Sequence, residues 1–391
     1  MSSSAVYLNE LGVICALGAD RAEVREGLFA AQPGGLRDND AILPGRTLAL
    51  GEVHAALPDL SDLPVALRGR NNGLLEAALG QIRVAVDAAV SRFGTARVAV
   101  IIGTSTSGIG ETEPALRARH ATGHWPESFA YAQQEMGSAA AFVRHRSGAT
   151  GPAWTLSTAC SSGAKALASA ARLLRAGIVD AVIAGGADSL CRFTVAGFNA
   201  LESISDTRCL PFSATRAGIN IGEGSALFLL TREPGPVQLA GWGESSDAHH
   251  MSAPEPSGAG AIAAMREALD RAGWAPTDVD YINLHGTATP ANDRVEGIAV
   301  NAVFGSATPC SSTKGFTGHT LGAAGITEAV ISLLCLEHDF IPGSPTTTVP
   351  DPAIECAVVL QGRAAPLATV MSNSFGFGGS NCVLLFGKDT R

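Results

Sequence analysis

Twice in this 391-residue chain a short apolar run ends in Gly-Thr-x-Thr. Arg97-Val-Ala-Val-Ile-Ile102 leads into Gly103-Thr-Ser-Thr106, and Tyr281-Ile-Asn-Leu-His285 leads into Gly286-Thr-Ala-Thr289. A β-branched run closed by glycine and hydroxyl residues predicts a buried strand entering a loop. A second echo pairs Ile221-Gly-Glu-Gly-Ser-Ala-Leu-Phe-Leu-Leu230 with Phe377-Gly-Gly-Ser-Asn-Cys-Val-Leu-Leu-Phe386, each a Gly-rich turn feeding an apolar strand. Between the echoes a small-residue segment opens a helix in both halves: Cys160-Ser-Ser-Gly-Ala-Lys-Ala-Leu167, then Gly322-Ala-Ala-Gly-Ile-Thr-Glu-Ala329. Three correspondences in one order predict an internal duplication. Apolar strands alternating with helical segments predict α/β architecture with sheets covered on both faces. The halves are expected at 1–235 and 236–391, with the seam at Thr231-Arg-Glu-Pro-Gly-Pro236. The first half is longer, and its excess, roughly residues 105–150 and 190–220, reads as insertions that cover a site or build an interface.

Composition narrows the function. Hydrophobic residues make up 46 % and charged residues 16 %, enough for a large core and against disorder. A net charge of −9 argues against general nucleic-acid binding, which needs clustered Lys and Arg. The first residues lack the basic and apolar regions of a secretory leader, and no apolar run is expected to approach membrane-spanning length. The eight cysteines, at 15, 160, 191, 209, 310, 335, 356 and 382, include no C-x-x-C pair, so no metal is expected. Several sit in apolar runs, which reads as buried free thiols in a reducing, cytoplasmic setting.

Cys160 stands apart from the other seven. Ala164, Leu167, Ala168, Ala171 and Leu174 follow it at helical spacing, which places the thiol at a helix start. There the positive end of the helix is expected to lower its pKa and make it a nucleophile. His54, His120, His124, His145 and His338 read as ordinary surface or core histidines. His285 ends a buried strand, and His319 lies in the small-residue segment Thr317-Gly-His-Thr-Leu-Gly-Ala-Ala-Gly325, surroundings in which α/β folds place chemistry.

Four blocks then carry a resemblance: Thr158-Ala-Cys-Ser-Ser-Gly163, His285-Gly-Thr-Ala-Thr289, Thr313-Lys-Gly-Phe-Thr-Gly-His-Thr-Leu-Gly-Ala-Ala-Gly325 and Ser372-Asn-Ser-Phe-Gly-Phe-Gly-Gly-Ser-Asn381. In content and order they resemble the signature blocks of elongating β-ketoacyl-acyl-carrier-protein synthases, decarboxylating condensing enzymes of the thiolase superfamily. The resemblance implies a five-layered αβαβα fold of two similar halves, and a dimer. It implies that Cys160 takes the acyl chain as a thioester, with the backbone N–H groups of Cys160 and Phe375 as oxyanion hole. His285 and His319 correspond to the pair that binds the malonyl thioester and steadies its enolate. Lys314 and Glu328 correspond to the charged pair supporting them, Thr287 and Thr289 to substrate contacts, and Phe375 and Phe377 to a loop gating the acyl site. No bound cofactor is implied, since phosphopantetheine arrives on the acyl carrier protein.

Ser213 and Ala217, in Pro211-Phe-Ser-Ala-Thr-Arg-Ala-Gly218, stand where the family more usually has Asp. This leaves both primary fatty-acid elongation and a polyene or aryl-polyene pathway open. Ile109 corresponds to a position bounding the acyl pocket across the dimer interface. An acidic carrier protein needs a basic patch on a net-negative enzyme, for which Arg68 and Arg70, or Arg117 and Arg119, are the candidates. Two partner arrangements stay open, a homodimer or a heterodimer with a chain-length-factor subunit, as does the reading that this chain is itself such a non-catalytic subunit. A thiolase would usually carry a second catalytic cysteine where Phe375-Gly-Phe-Gly-Gly379 stands, and a Cys-His hydrolase explains neither the second histidine nor the repeat.

Overall fold

Among the described residues, five strands of each half lie in the same spatial order within one eleven-stranded sheet, whose remaining strand, Ala357–Val358, forms the outer edge of the second half. The structure, a computed structural model, describes residues 5–30 and 34–388. In the first half the strands are β1 (Tyr7–Cys15), β2 (Val98–Gly103), β3 (Ala153–Leu156), β4 (Ala181–Asp188) and β5 (Gly224–Thr231), laid out β3-β2-β4-β5-β1. In the second they are β6 (Val237–Ser246), β7 (Tyr281–Asn283), β8 (Pro309–Ser311), β9 (Thr369–Gly376) and β10 (Ser380–Lys388), laid out β8-β7-β9-β10-β6. Directions match as well. The second strand of each half is parallel to the third and fourth, and the fifth is antiparallel to the fourth and first. The halves meet where β1 pairs with β6 through Tyr7↔Gln238 and Leu8↔Val237.

The helices that frame the site are α1 (Arg70–Gln81), α2 (Thr112–Thr122), α3 (Ser162–Arg175), α4 (Arg192–Ala200), α5 (Ala259–Ala272), α6 (Pro290–Phe304) and α7 (Ala324–His338). Alternation along the strands sorts side chains into different cores. Val98, Val100 and Ile102 of β2 join Leu75 and Leu79 of α1 in an outer core, whereas Ala99 and Ile101 face α3 and α7. In β10, Val383 and Leu385 join α5 and α6 in the opposite outer core, whereas Cys382, Leu384 and Phe386 face inward. Helix, sheet, helix, sheet and helix therefore stack in five layers, as the resemblance implies.

The central helices cross closely at glycines. A Cβ on Gly163 would lie 3.0 Å from Cβ of Ile326, and one on Gly325 would lie 2.9 Å from Cβ of Ala164. Gly163 and Gly325 are equivalent in the duplication, so each half supplies one notch and fills the other. The turns before the helices match too: Ala159 has φ +52° and Leu321 φ +54°, both in the left-handed region. From Ala324 to Leu336 every residue of α7 is buried. The stretch Leu321–His338 is long and apolar enough to cross a membrane, contrary to the expectation from the sequence. It is buried on all sides, which is why it is mostly apolar.

Candidate active site

Cys160 is delivered by a strained turn. After β3 the chain passes through Ala159 in the left-handed region, held where Ser162 Oγ accepts the Thr158 N–H at 2.9 Å and donates to the Ala159 carbonyl at 2.6 Å. Helix α3 begins at Ser162 with Ser161 as its cap, so the thiol stands one position outside the cap. It is 5 % exposed. The expected thiolate is corrected here: burial pushes the thiol up to about 11, outweighing the Lys314 cation, the Phe377 N–H and the thiol's own N–H, which all act the other way. Cys160 rests as a neutral thiol, with Sγ 2.9 Å from His319 Nε2.

His285 and His319 meet edge to face with ring centres 5.4 Å apart. Burial and the Lys314 cation hold both well below the usual histidine range, so both rings are neutral at pH 7. Lys314 Nζ lies 3.4 Å from His285 Nδ1 and also donates to the His285 carbonyl. An ammonium has only protons to give, so Nδ1 accepts and the proton of the neutral ring is assigned to Nε2. Lys314 pairs with Glu328 of α7, and both side chains are almost completely buried. Burial raises the Glu328 carboxyl to about 7 despite that pair.

Two further carboxylates build the site and were missed in the sequence. Glu296 on α6 accepts the N–H groups of His285 and Gly286, both at 2.7 Å, and Asn373 Nδ2 at 3.1 Å. Asp293, one turn earlier, accepts the N–H of Phe212 at 2.7 Å and of Ala288 at 3.1 Å. Burial raises Glu296 to about 7 and Asp293 to about 6. Their signal was available: three positions apart, they share a face of a helix that opens directly after His285-Gly-Thr-Ala-Thr.

Two cavities meet at Cys160. One of about 300 Å³ is also lined by His285, His319, Thr287, Thr289, Phe375 and Phe377, with Ala217 in its wall. The other, about 430 Å³ and mostly apolar, is lined by Ile109, Phe193, Thr194, Gly197, Phe198 and Leu201 among others. The Phe198 and Phe377 rings, 5.8 Å apart, belong to both cavities. Phe375 is paired with Asn381 across the β9–β10 ladder and sets its ring 6.1 Å from His285. Phe377 follows in the turn, and its N–H is the one that reaches the Cys160 sulfur.

The arginines divide into two groups. Arg68 donates to the carbonyls of Leu63 and Ser61, and Arg70 grips the buried Glu223 carboxylate at 2.5 and 2.8 Å. Both make contacts within the fold, with the Arg70 side chain still 42 % exposed. Arg117 and Arg119 are exposed on α2, with Arg119 stacked 4.5 Å over Trp125.

Cys160 Sγ and one nitrogen of each histidine lie within 4.8 Å of one another, a sulfur and nitrogen set of the kind zinc accepts. Two ligands of one tetrahedral zinc stand about 3.5 Å apart. The 2.9 Å between Cys160 and His319 is instead a hydrogen-bond distance, with an ammonium close behind His285. The trio fits proton movement and oxyanion binding better than a cation.

Comparison with known proteins agrees with this geometry. Residues 81–234 match the model of the beta-ketoacyl synthase N-terminal domain, and 237–348 that of the C-terminal domain. The mitochondrial 3-oxoacyl-[acyl-carrier-protein] synthase of Arabidopsis thaliana is 37 % identical over 271 residues, covering 63 % of this chain and 59 % of that protein. The 3-oxoacyl-[acyl-carrier-protein] synthase 2 of Staphylococcus aureus is 36 % identical over 259 residues, covering 62 % and 63 %. The matches thus span about six tenths of these curated relatives. A chain in the structure of the ketosynthase ApeO with its chain length factor ApeC from Xenorhabdus doucetiae is 46 % identical, with 98 % of both chains covered and a TM-score of 0.95. A chain of the ishigamide ketosynthase/chain length factor is 27 % identical, with 99 % and 100 % covered and a TM-score of 0.88.

Proposed function

Because the chain belongs to the β-ketoacyl synthase family, we propose that it catalyses decarboxylative Claisen condensation of an acyl thioester with malonyl-acyl-carrier protein, in fatty-acid or polyene and aryl-polyene synthesis. The observation that carries this is the trio Cys160, His285 and His319 closed within 4.8 Å at the junction of two cavities. In the first half-reaction Cys160 Sγ attacks the acyl thioester. Its proton passes by His319 Nε2 to the departing phosphopantetheine sulfur, and the acyl chain enters the apolar cavity. In the second, the malonyl group loses CO₂, and the negative charge that develops on its thioester oxygen is met by the Nε2–H of neutral His285, and by His319 after its ring proton has moved from Nδ1 to Nε2, in a site shielded from water. The carbanion attacks the acyl carbonyl, whose oxygen is held by the Cys160 and Phe377 amides. The C–S bond breaks, and the Cys160 thiolate takes up the one proton that the net reaction consumes from solvent.

We also take 1–235 and 236–391 as the duplicated halves, and read the chain as part of a dimer. Edge strand β3 has a free side, and Phe193 and Leu201 on α4 are exposed beside the apolar cavity. An open strand edge with exposed large apolar side chains nearby suits a partner of similar fold. That partner is a second copy or a chain-length-factor subunit, the latter favoured by the likeness to ketosynthases solved in such pairs. Arg117 and Arg119 are the docking residues offered to the carrier protein. The free thiols suit a reducing, cytoplasmic setting.

The deciding experiment incubates the protein, alone and with a candidate partner subunit, with acyl- and malonyl-carrier proteins and follows products by mass spectrometry. A β-ketoacyl product that requires Cys160 is expected. Absence of product in every combination, with Cys160 never acylated, would favour the non-catalytic subunit instead.

A further inference from the structure

All eight cysteines lie among the described residues, and Cys356 alone is not fully buried. Its neighbour is a second thiol. Cys356 stands just before the outer edge strand Ala357–Val358, which runs parallel to β8 in the register Pro309↔Ala357 and Cys310↔Val358. Cys356 therefore sits one diagonal step from Cys310 on the next strand. The two side chains meet in one apolar core, and their thiols share a hydrogen bond. That bond and burial hold the Cys310 thiol well above its ordinary range, so Cys310 rests protonated.

Two thiols in contact, one of them open to solvent, can be oxidised as a pair. Hydrogen peroxide takes the exposed Cys356 sulfur to a sulfenic acid as its O–O bond breaks and one water leaves. The Cys310 sulfur then displaces the sulfenic oxygen, which leaves as a second water, and an S–S bond forms. Two electrons pass from the thiols to the peroxide, and both thiol protons end in water. A disulfide joins Cα atoms no more than about 7 Å apart, so the bridge draws the two strands together. Strand β8 resists, because it pairs with β7 and the next hydroxyls, Ser311 and Ser312, donate to the Pro342 and Gly286 carbonyls. The edge strand has no partner on its outer side among the described residues, so the 351–358 segment yields.

That segment reaches the site. Ile354 packs on α6 at Gly297, where a Cβ would collide with its Cγ2, and Gly297 adjoins the Glu296 that holds the His285 amide. Asp351 pairs with Arg216 and donates its N–H to the Phe212 carbonyl at 2.8 Å, and Phe212 is itself held by Asp293. We infer that Cys310 and Cys356 form a reversible modification site: oxidation to a disulfide shifts the 351–358 segment against α6, loosens the Glu296 hold on His285 and slows malonyl decarboxylation. The effect on decarboxylation rests on the proposed role of His285, whereas formation of the bond does not. In a reducing setting such a pair stays open and closes under oxidative stress.

The experiment treats the full chain, as wild type, Cys356→Ser and Cys310→Ala, with hydrogen peroxide, alkylates the remaining thiols and maps peptides by mass spectrometry without reductant. Expected in wild type is a linked pair of peptides carrying Cys310 and Cys356, lighter by two hydrogens, absent from both variants and lost on adding dithiothreitol. CO₂ release from malonyl-acyl-carrier protein should fall several-fold in oxidised wild type and return with dithiothreitol. Untreated Cys356→Ser should match untreated wild type and lose less activity under peroxide. No linked peptide at a peroxide dose that oxidises any other cysteine overturns the inference. So does a linked form that releases CO₂ as fast as peroxide-treated Cys356→Ser. A wild type that releases no CO₂ before oxidation overturns the proposed function instead, and the modification site is then decided by the linked peptide alone.

Discussion

Cys160 Sγ lies 2.9 Å from His319 Nε2, and both groups are neutral in the resting protein, a thiol raised to about 11 beside an imidazole held well below its ordinary range. The nucleophile is therefore made when substrate arrives rather than stored as an ion pair. Alkylation of Cys160 by iodoacetamide should rise about tenfold per pH unit from pH 7 towards pH 10, as measured by peptide mass spectrometry. A rate already flat below pH 7 would show a stored thiolate and contradict this picture.

Lys314 touches His285 and Glu328 rather than the sulfur. Lys314→Met should suppress malonyl decarboxylation while acyl transfer to Cys160 persists. It should also destabilise the fold by about 3 kcal/mol, because a buried Glu328 loses its partner. The cost falls at the lower end since Glu328, already raised to about 7, can take up a proton. Adding Glu328→Gln should restore much of the stability without restoring decarboxylation. Denaturant titration and CO₂ release check the two parts.

Glu296 carries a pH signature. Its pKa rises from 4.5 in the unfolded chain to about 7 in the fold, so the folded state holds the proton more tightly. Stability from this group is fully present below about pH 4.5 and is lost as pH climbs through 7, by about 3 kcal/mol in all. Glu296→Gln should flatten the fall in unfolding free energy between pH 5 and pH 8, measured by urea titration. An unchanged slope would mean that Glu296 does not titrate in this range.

The notch at Gly163 gives a packing test. Gly163→Val should destabilise by at least about 1–3 kcal/mol, because even its Cβ would press on Ile326 at 3.0 Å, in backbone as well as side chain. A valine at Gly80, where a Cβ meets nothing within 4 Å, provides the control. Its effect should be neutral to slightly stabilising, since valine is a better helix former than glycine.

Much of the scaffold was legible because duplication is written in local patterns: each Gly-Thr-x-Thr follows the second strand of its half, and each small-residue segment opens a central helix. Cys160, His285 and His319 were legible because strand ends and helix starts are local features too. What was hidden depends on the third dimension. The rise in the Cys160 pKa follows from depth of burial, which outweighs the helix end that the sequence does show. That the Phe377 N–H faces the sulfur is decided by turn geometry, which the sequence does not show. Arg70 read as a free surface charge because its partner, Glu223, lies 153 positions away. Glu296 and Asp293 looked like ordinary helix carboxylates until the fold pointed them at backbone amides.

The matched left-handed turns at Ala159 and Leu321 carry one more consequence. Both halves carry the same turn, but the residue after Leu321 is Gly322, where a Cβ would sit 2.7 Å from the Ser105 nitrogen and from Asp188 Oδ2. The space there has room for a single side chain. The second half instead contributes His285, His319 and Phe377 around the thiol of the first, so the two halves build one site between them.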